Sequence, residues 1–140
     1  MRKMRNNKGF SLVELIMVVL VMGVITAALS PQVMKWVGRA RESADHQAAD
    51  DLRAMAQIAV VDFGNANPGV DLQDENYIVT SSGVQIADNG ADDNSGMKEI
   101  LEDHMTGNYP IVQSEDGKVF QIEINGEGQK VTVSTVAGTY

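Results

Sequence analysis

Hydrophobic and polar positions divide the chain into three unlike stretches. From Phe10 to Trp36, FSLVELIMVVLVMGVITAALSPQVMKW, Leu, Ile, Val, Met and Ala dominate and no polar face interrupts them. The uncharged run from Leu15 to Met34, roughly twenty residues, would span about 30 Å as a helix, one bilayer core. A soluble core helix would carry a polar stripe, so this segment is expected to be membrane-resident. Beyond Pro31 the pattern turns amphipathic. Val33, Val37, Ala40, Ala44, Ala48, Leu52, Met55, Ala59 and Phe63 recur at steps of three and four, with Arg39, Arg41, Glu42, Asp45, Asp50 and Arg53 largely between them. This second half is expected to lay one face on its own domain. The helix is expected to run to Asp62–Phe63 and stop at Gly64, before the turn-forming Asn65-Ala66-Asn67-Pro68-Gly69. From Val70 onward the period shortens. Tyr77–Thr80 and Val84–Ile86 predict short strands around Ser81-Ser82-Gly83, and Met97–Met105 a short helix closed by Gly107. Tyr109–Gln113, Lys118–Asn125 and Gln129–Val136 predict further strands, the last two joined by a turn at Asn125–Gly128. The fold class is therefore α+β: a long N-terminal helix packed on a small antiparallel sheet of three to five strands.

Charge sharpens this division. Arg2, Lys3, Arg5 and Lys8 precede the apolar run with no acid among them, and all 19 acids lie beyond. Without the first nine residues, 7 bases remain against 19 acids, a formal −12 in place of −8. A basic cytoplasmic flank orients the helix with its N-terminus inside. The acidic remainder is a poor match for nucleic-acid phosphate, so no direct nucleic-acid binding is expected. The chain has no cysteine, which removes disulfides, thiolate metal sites and a Cys nucleophile. Ala27-Ala28-Leu29-Ser30 imitates a signal-peptidase site, but the apolar run is long for a signal peptide and the helical pattern continues straight through it.

Glu14 is the one ionisable residue between Lys8 and Lys35. A carboxylate at the centre of a spanning helix costs about 2.5–3.5 kcal/mol on insertion scales, so it calls for a partner or a task, although near the cytoplasmic interface it can snorkel. Its setting decides between these readings. Gly9-Phe10-Ser11-Leu12-Val13-Glu14, after a short basic leader and before an unbroken apolar helix, resembles the processing motif of type IV pilins and pseudopilins, a likeness covering residues 1 to about 63. The resemblance implies that a prepilin peptidase cuts between Gly9 and Phe10 and that the new Phe10 amine is N-methylated. It also implies a membrane precursor, handled by an assembly platform and its ATPase, that becomes an extracellular homo-oligomeric filament. Gly23 and Pro31 fall where such proteins often soften the helix. The domain plan that follows is a cleaved leader, 1–9, and a long helix, 10–63, apolar over 10–36 and amphipathic over 37–63. A globular head occupies 64–140.

Simple electrostatics gives Glu14 a task. Cutting at Gly9 leaves a positive amine at Phe10, one turn from Glu14, and the Glu14 of one copy can neutralise the Phe10 amine of a neighbour inside an apolar bundle. Only one stagger between neighbouring helices matches every such pair. Pro31 lacks an amide hydrogen, and Val24, Ile25 and Thr26 are β-branched, so residues 23–31 are expected to bend or unwind.

Other candidate chemistry is thin. Asp88, Asp92, Asp93 and Asn94 are a weak calcium candidate: the oxygens are hard, but the spacing does not follow the EF-hand, and a solvated acidic loop is the simpler reading. His104, beside Glu102 and Asp103, and His46 are expected to be exposed helix residues. No nucleophile-elbow, zinc-hydrolase or phosphate-loop spacing occurs, so neither enzymatic activity nor a cofactor is expected. The chain is expected to be the major subunit of a type IV pilus. A pseudopilin of a type II secretion or DNA-uptake machine is the alternative, and a membrane-anchored domain that never polymerises is the rival from another class.

Overall fold

A computed structural model describes residues 11–87, 94, 96–126 and 129–138. Its elements are α1 (Leu12–Ala66), β1 (Glu75–Thr80), β2 (Gly83–Ile86), α2 (Met97–Met105), β3 (Lys118–Asn125) and β4 (Lys130–Ala137). The chain divides into two compact units, one up to Arg39 and one from Ala40.

Among its described residues the first unit is helix from Leu12 onward. Glu14 lies in its first turn, where a carboxylate is favoured by the unsatisfied amides of the helix start. Helical backbone continues without a break through Gly23 and Pro31. This is the one helix among the described residues long and apolar enough to cross a membrane, and its apolar window is wholly unburied.

In the second unit, α1 packs on a four-stranded antiparallel sheet of order β2-β1-β3-β4. The fold is α+β and pilin-like. Leu52, Ala56, Ala59, Val60 and Phe63 of α1 are buried with Tyr77, Val79, Val84, Phe120, Ile122, Ile124, Val131 and Val133 of the sheet. Ala56 and Ala59 are fully buried, and methyl side chains let the helix approach the strands closely. From α2, Met97, Leu101 and Met105 close the same core at the β2 side. The expected stripe holds from Ala48 to Phe63, whereas Val33 and Val37 stay about half exposed.

Two expectations need correction. The helix passes through Gly64 to Ala66 and stops only when Pro68 approaches. Gly64 adopts no left-handed conformation, and the Phe63 carbonyl is met by Asn67, whose amide N–H and side-chain Nδ2 both donate to it, at 2.9 and 3.2 Å. Second, residues 109–113 are not a strand. The amides of Gln113 and Ser114 donate to the carboxylate of Asp45 in α1 (2.7 and 2.8 Å), and donors held by a side chain are lost to a ladder. This loop also accounts for the imperfect alternation of β3. Val119 and Phe120 are both buried, Phe120 within the core and Val119 beside Ile111 in a hollow bordered by Thr80 and Lys118.

Candidate functional site

The first unit offers an apolar surface with a single acid. From Leu12 to Val37 the large apolar side chains leave 45–73% of their surface open, far more than an isolated protein in water sustains as one patch. Residues three and four apart share a helix face, so Glu14 stands at the head of the row Met17, Val18, Val21, Met22 and Ile25, which line a shallow and entirely apolar hollow. Gly9 and Phe10, the expected cleavage pair, lie outside the described residues, as do Asp88, Asp92 and Asp93.

The segment expected to soften carries two local defects in its hydrogen bonding. Pro31 has no N–H, so the Ala27 carbonyl lacks its usual donor four residues on. One turn earlier, the Thr26 hydroxyl donates to the Met22 carbonyl at 2.8 Å, a competition with the backbone that bends helices slightly. No side chain approaches Gly23, where even an added Cβ would meet nothing within 4 Å.

In the second unit the polar groups noted in the sequence serve packing. Asn94 is fully buried. Its Oδ1 accepts from the Gln73 amide at 2.8 Å, and its Nδ2 donates to the Gln73 carbonyl (3.1 Å) and to Oε2 of Glu75 (3.0 Å). The Tyr77 hydroxyl donates to that same Glu75 oxygen at 2.6 Å. Asn94 thus ties the end of its loop to the start of β1. Among the described residues no group of three or more His, Asp or Glu is placed to hold a metal ion. His104 is not a free helix-end residue: its Nε2 lies 2.9 Å from Oδ2 of Asp62, joining α2 to α1. His46 is exposed.

Asp45 is the polar residue that sequence reasoning undervalued. It is 7% exposed, and burial alone would push its carboxyl pKa up. Hydrogen bonds from the Ser114 side chain and from the Gln113 and Ser114 amides outweigh that and hold it below its ordinary value. The signal was present: Asp45 continues the row Ala48, Leu52, Ala56, Ala59, Phe63, where an acid has no reason to sit unless something receives it.

A family model, described as the prokaryotic N-terminal methylation motif, matches residues 4–30. That stretch holds the end of the basic leader, with Arg5 and Lys8, and then Gly9, Phe10, Glu14 and most of the apolar run. No curated protein and no solved structure matches the chain.

Proposed function

We propose that this chain, a type IV pilin-like or pseudopilin protein by its N-terminal methylation motif, is the major structural subunit of an extracellular type IV pilus. The membrane precursor is cut between Gly9 and Phe10, Phe10 is N-methylated, and the mature chains polymerise through α1. A prepilin peptidase and an assembly platform with its ATPase are the partners this implies.

The observation that carries the reading is the bare apolar surface of α1 headed by one acid. Lipid covers that surface before assembly, and the helices of neighbouring copies cover it afterwards. An amine–carboxylate pair between the Phe10 terminus of one copy and Glu14 of the next would fix how far one subunit is displaced from its neighbour. Such a pair adds little net stability, yet removing one member strands a buried charge at about 3–5 kcal/mol. Selection of one stagger follows from that asymmetry. Within the polymer, the open Ala27 carbonyl and the Thr26 contact make residues 23–31 the segment that unwinds.

Mass spectrometry of the mature protein and imaging of cell-surface filaments test the reading together. A chain beginning at methylated Phe10, and forming the bulk of an extended surface filament, is the expected result. A chain that keeps Met1–Gly9 and remains a membrane-tethered monomer overturns it. Glu14→Ala is expected to insert normally while filament yield collapses; undiminished yield refutes the registry role.

A further inference from the structure

The two edges of the sheet are treated differently. β2, at one edge, has four residues, and the outer amide of Val84 donates to Oε1 of Glu102 in α2 at 3.1 Å. That edge is short and capped. β4, at the other edge, has eight residues and pairs with β3 along its whole length without a bulge, from Lys118↔Ala137 to Asn125↔Lys130. Its sequence KVTVSTVA contains one charge, Lys130, and no proline. Among the described residues nothing bonds to its outer side; the one backbone bond nearby, Gly138 N–H to Gly117 O at 2.8 Å, closes the β3 side. A long, regular and nearly uncharged edge is a template for another strand, and proteins that must avoid this place lysines, prolines or bulges along it.

We infer that β4 is an association edge for the β4 of a second copy, forming an antiparallel strand pair about a two-fold axis that joins two heads into one continuous sheet. The strand suits itself as a partner. In a self-paired antiparallel edge, outward-facing residues must oppose outward-facing residues, which leaves two central registers. One sets Val133 against its own copy and Lys130 against Val136. The other sets Ser134 against its own copy and Lys130 against Gly138. Lys130 meets no lysine in either. Val131 and Val133 keep to the buried side and Thr132, Ser134 and Val136 to the outer side, so the cores run on across the joint. The formal −8 of each chain opposes the contact, and salt weakens that repulsion. Association through this edge therefore strengthens as ionic strength rises, opposite to a contact made of ion pairs. The inference does not depend on filament assembly.

A cysteine-free chain makes the test direct. Full-length protein in detergent micelles, carrying Val133→Cys or Ser134→Cys, is oxidised at low and high salt, with Ser81→Cys in the exposed β1–β2 turn as the reference. One of the two β4 variants is expected to give a disulfide-linked dimer that increases with salt and that the Ser81 variant does not give. Adding Thr132→Lys with Val136→Lys to that variant sets lysine against lysine in both registers and should abolish the dimer, although it lowers the net repulsion between heads; circular dichroism checks that the fold survives. The inference is overturned if neither β4 variant exceeds the reference, if the dimer falls with salt, or if it persists in a folded lysine variant. A chain that fails to polymerise on cells yet gives this dimer defeats the filament reading alone.

Discussion

Asp45 shows how one side chain can hold two distant segments. Its carboxylate receives the Gln113 and Ser114 amides across 68 and 69 residues of sequence, and losing it leaves both donors without an acceptor. Hydrogen bonds to a charged group contribute about 1.5–3 kcal/mol each. Asp45→Ala is therefore expected to lower the urea midpoint of the second unit's unfolding by an amount equivalent to about 3 kcal/mol. The pH dependence has a definite sign. The folded pKa lies below the ordinary 3.8, so the stabilisation is complete above that value and is lost as pH falls through the folded pKa. The difference between urea midpoints at neutral pH and near pH 3 should be smaller in Asp45→Asn than in the native protein. Gly126 is the second sensitive residue. A Cβ there would stand 1.8 Å from the Leu72 carbonyl oxygen, and the Gly126 amide donates to Oδ1 of Asp74 at 2.8 Å. Gly126→Ala must push the two backbone segments apart; overpacking of this kind costs about 1–3 kcal/mol, visible as a lower midpoint at unchanged slope.

At the scale of elements, periodicity carried most of the fold. The limits of α2 and β3 follow directly from where Met97, Ile100, Leu101 and Met105, and then Phe120, Ile122 and Ile124, place their apolar faces. Two elements escaped for identifiable reasons. Residues 109–113 alternate as a strand would, but their neighbouring amides belong to Asp45, a partner no local pattern reveals. Gly64 has the composition of a helix stop, yet glycine only permits a stop, while Pro68 enforces one. The Asp62–His104 pair was equally illegible, since it depends on how α2 docks against α1. In the apolar half of α1, the sequence leads one to expect bending or unwinding at residues 23–31, where the structure has unbroken helix. Proline inside a helix costs about 3 kcal/mol relative to alanine. Pro31→Ala should restore a donor to the Ala27 carbonyl and slow amide hydrogen exchange from about one turn before the site to one turn after it in detergent micelles. Unaltered exchange there would remove the basis for local unwinding at residues 23–31.

Across the whole molecule, charge placement sets the order of events. Basic residues close to the ends of a spanning segment orient it, and acids count for little. Arg2, Lys3, Arg5 and Lys8 lie on the N-terminal flank, but Lys35, Arg39 and Arg41 lie on the other. The preference for an internal N-terminus therefore rests on a margin of one side chain. Cutting at Gly9 would remove all four N-terminal bases and leave the bias pointing the opposite way. On the proposed reading, orientation must be fixed by insertion before the leader is lost, which would leave the strongly acidic second unit on the far side of the membrane. Replacing Arg2 and Lys3 with glutamine tips the count toward the C-terminal flank. Protease added to spheroplasts should digest the head of the native protein completely and spare a substantial fraction of it in this variant. If Gly9 is the cleavage site, as proposed, that spared fraction should also keep its leader, because an inverted chain would present Gly9 on the face away from the peptidase. Complete digestion of the variant would mean that the leader's charges do not set the orientation.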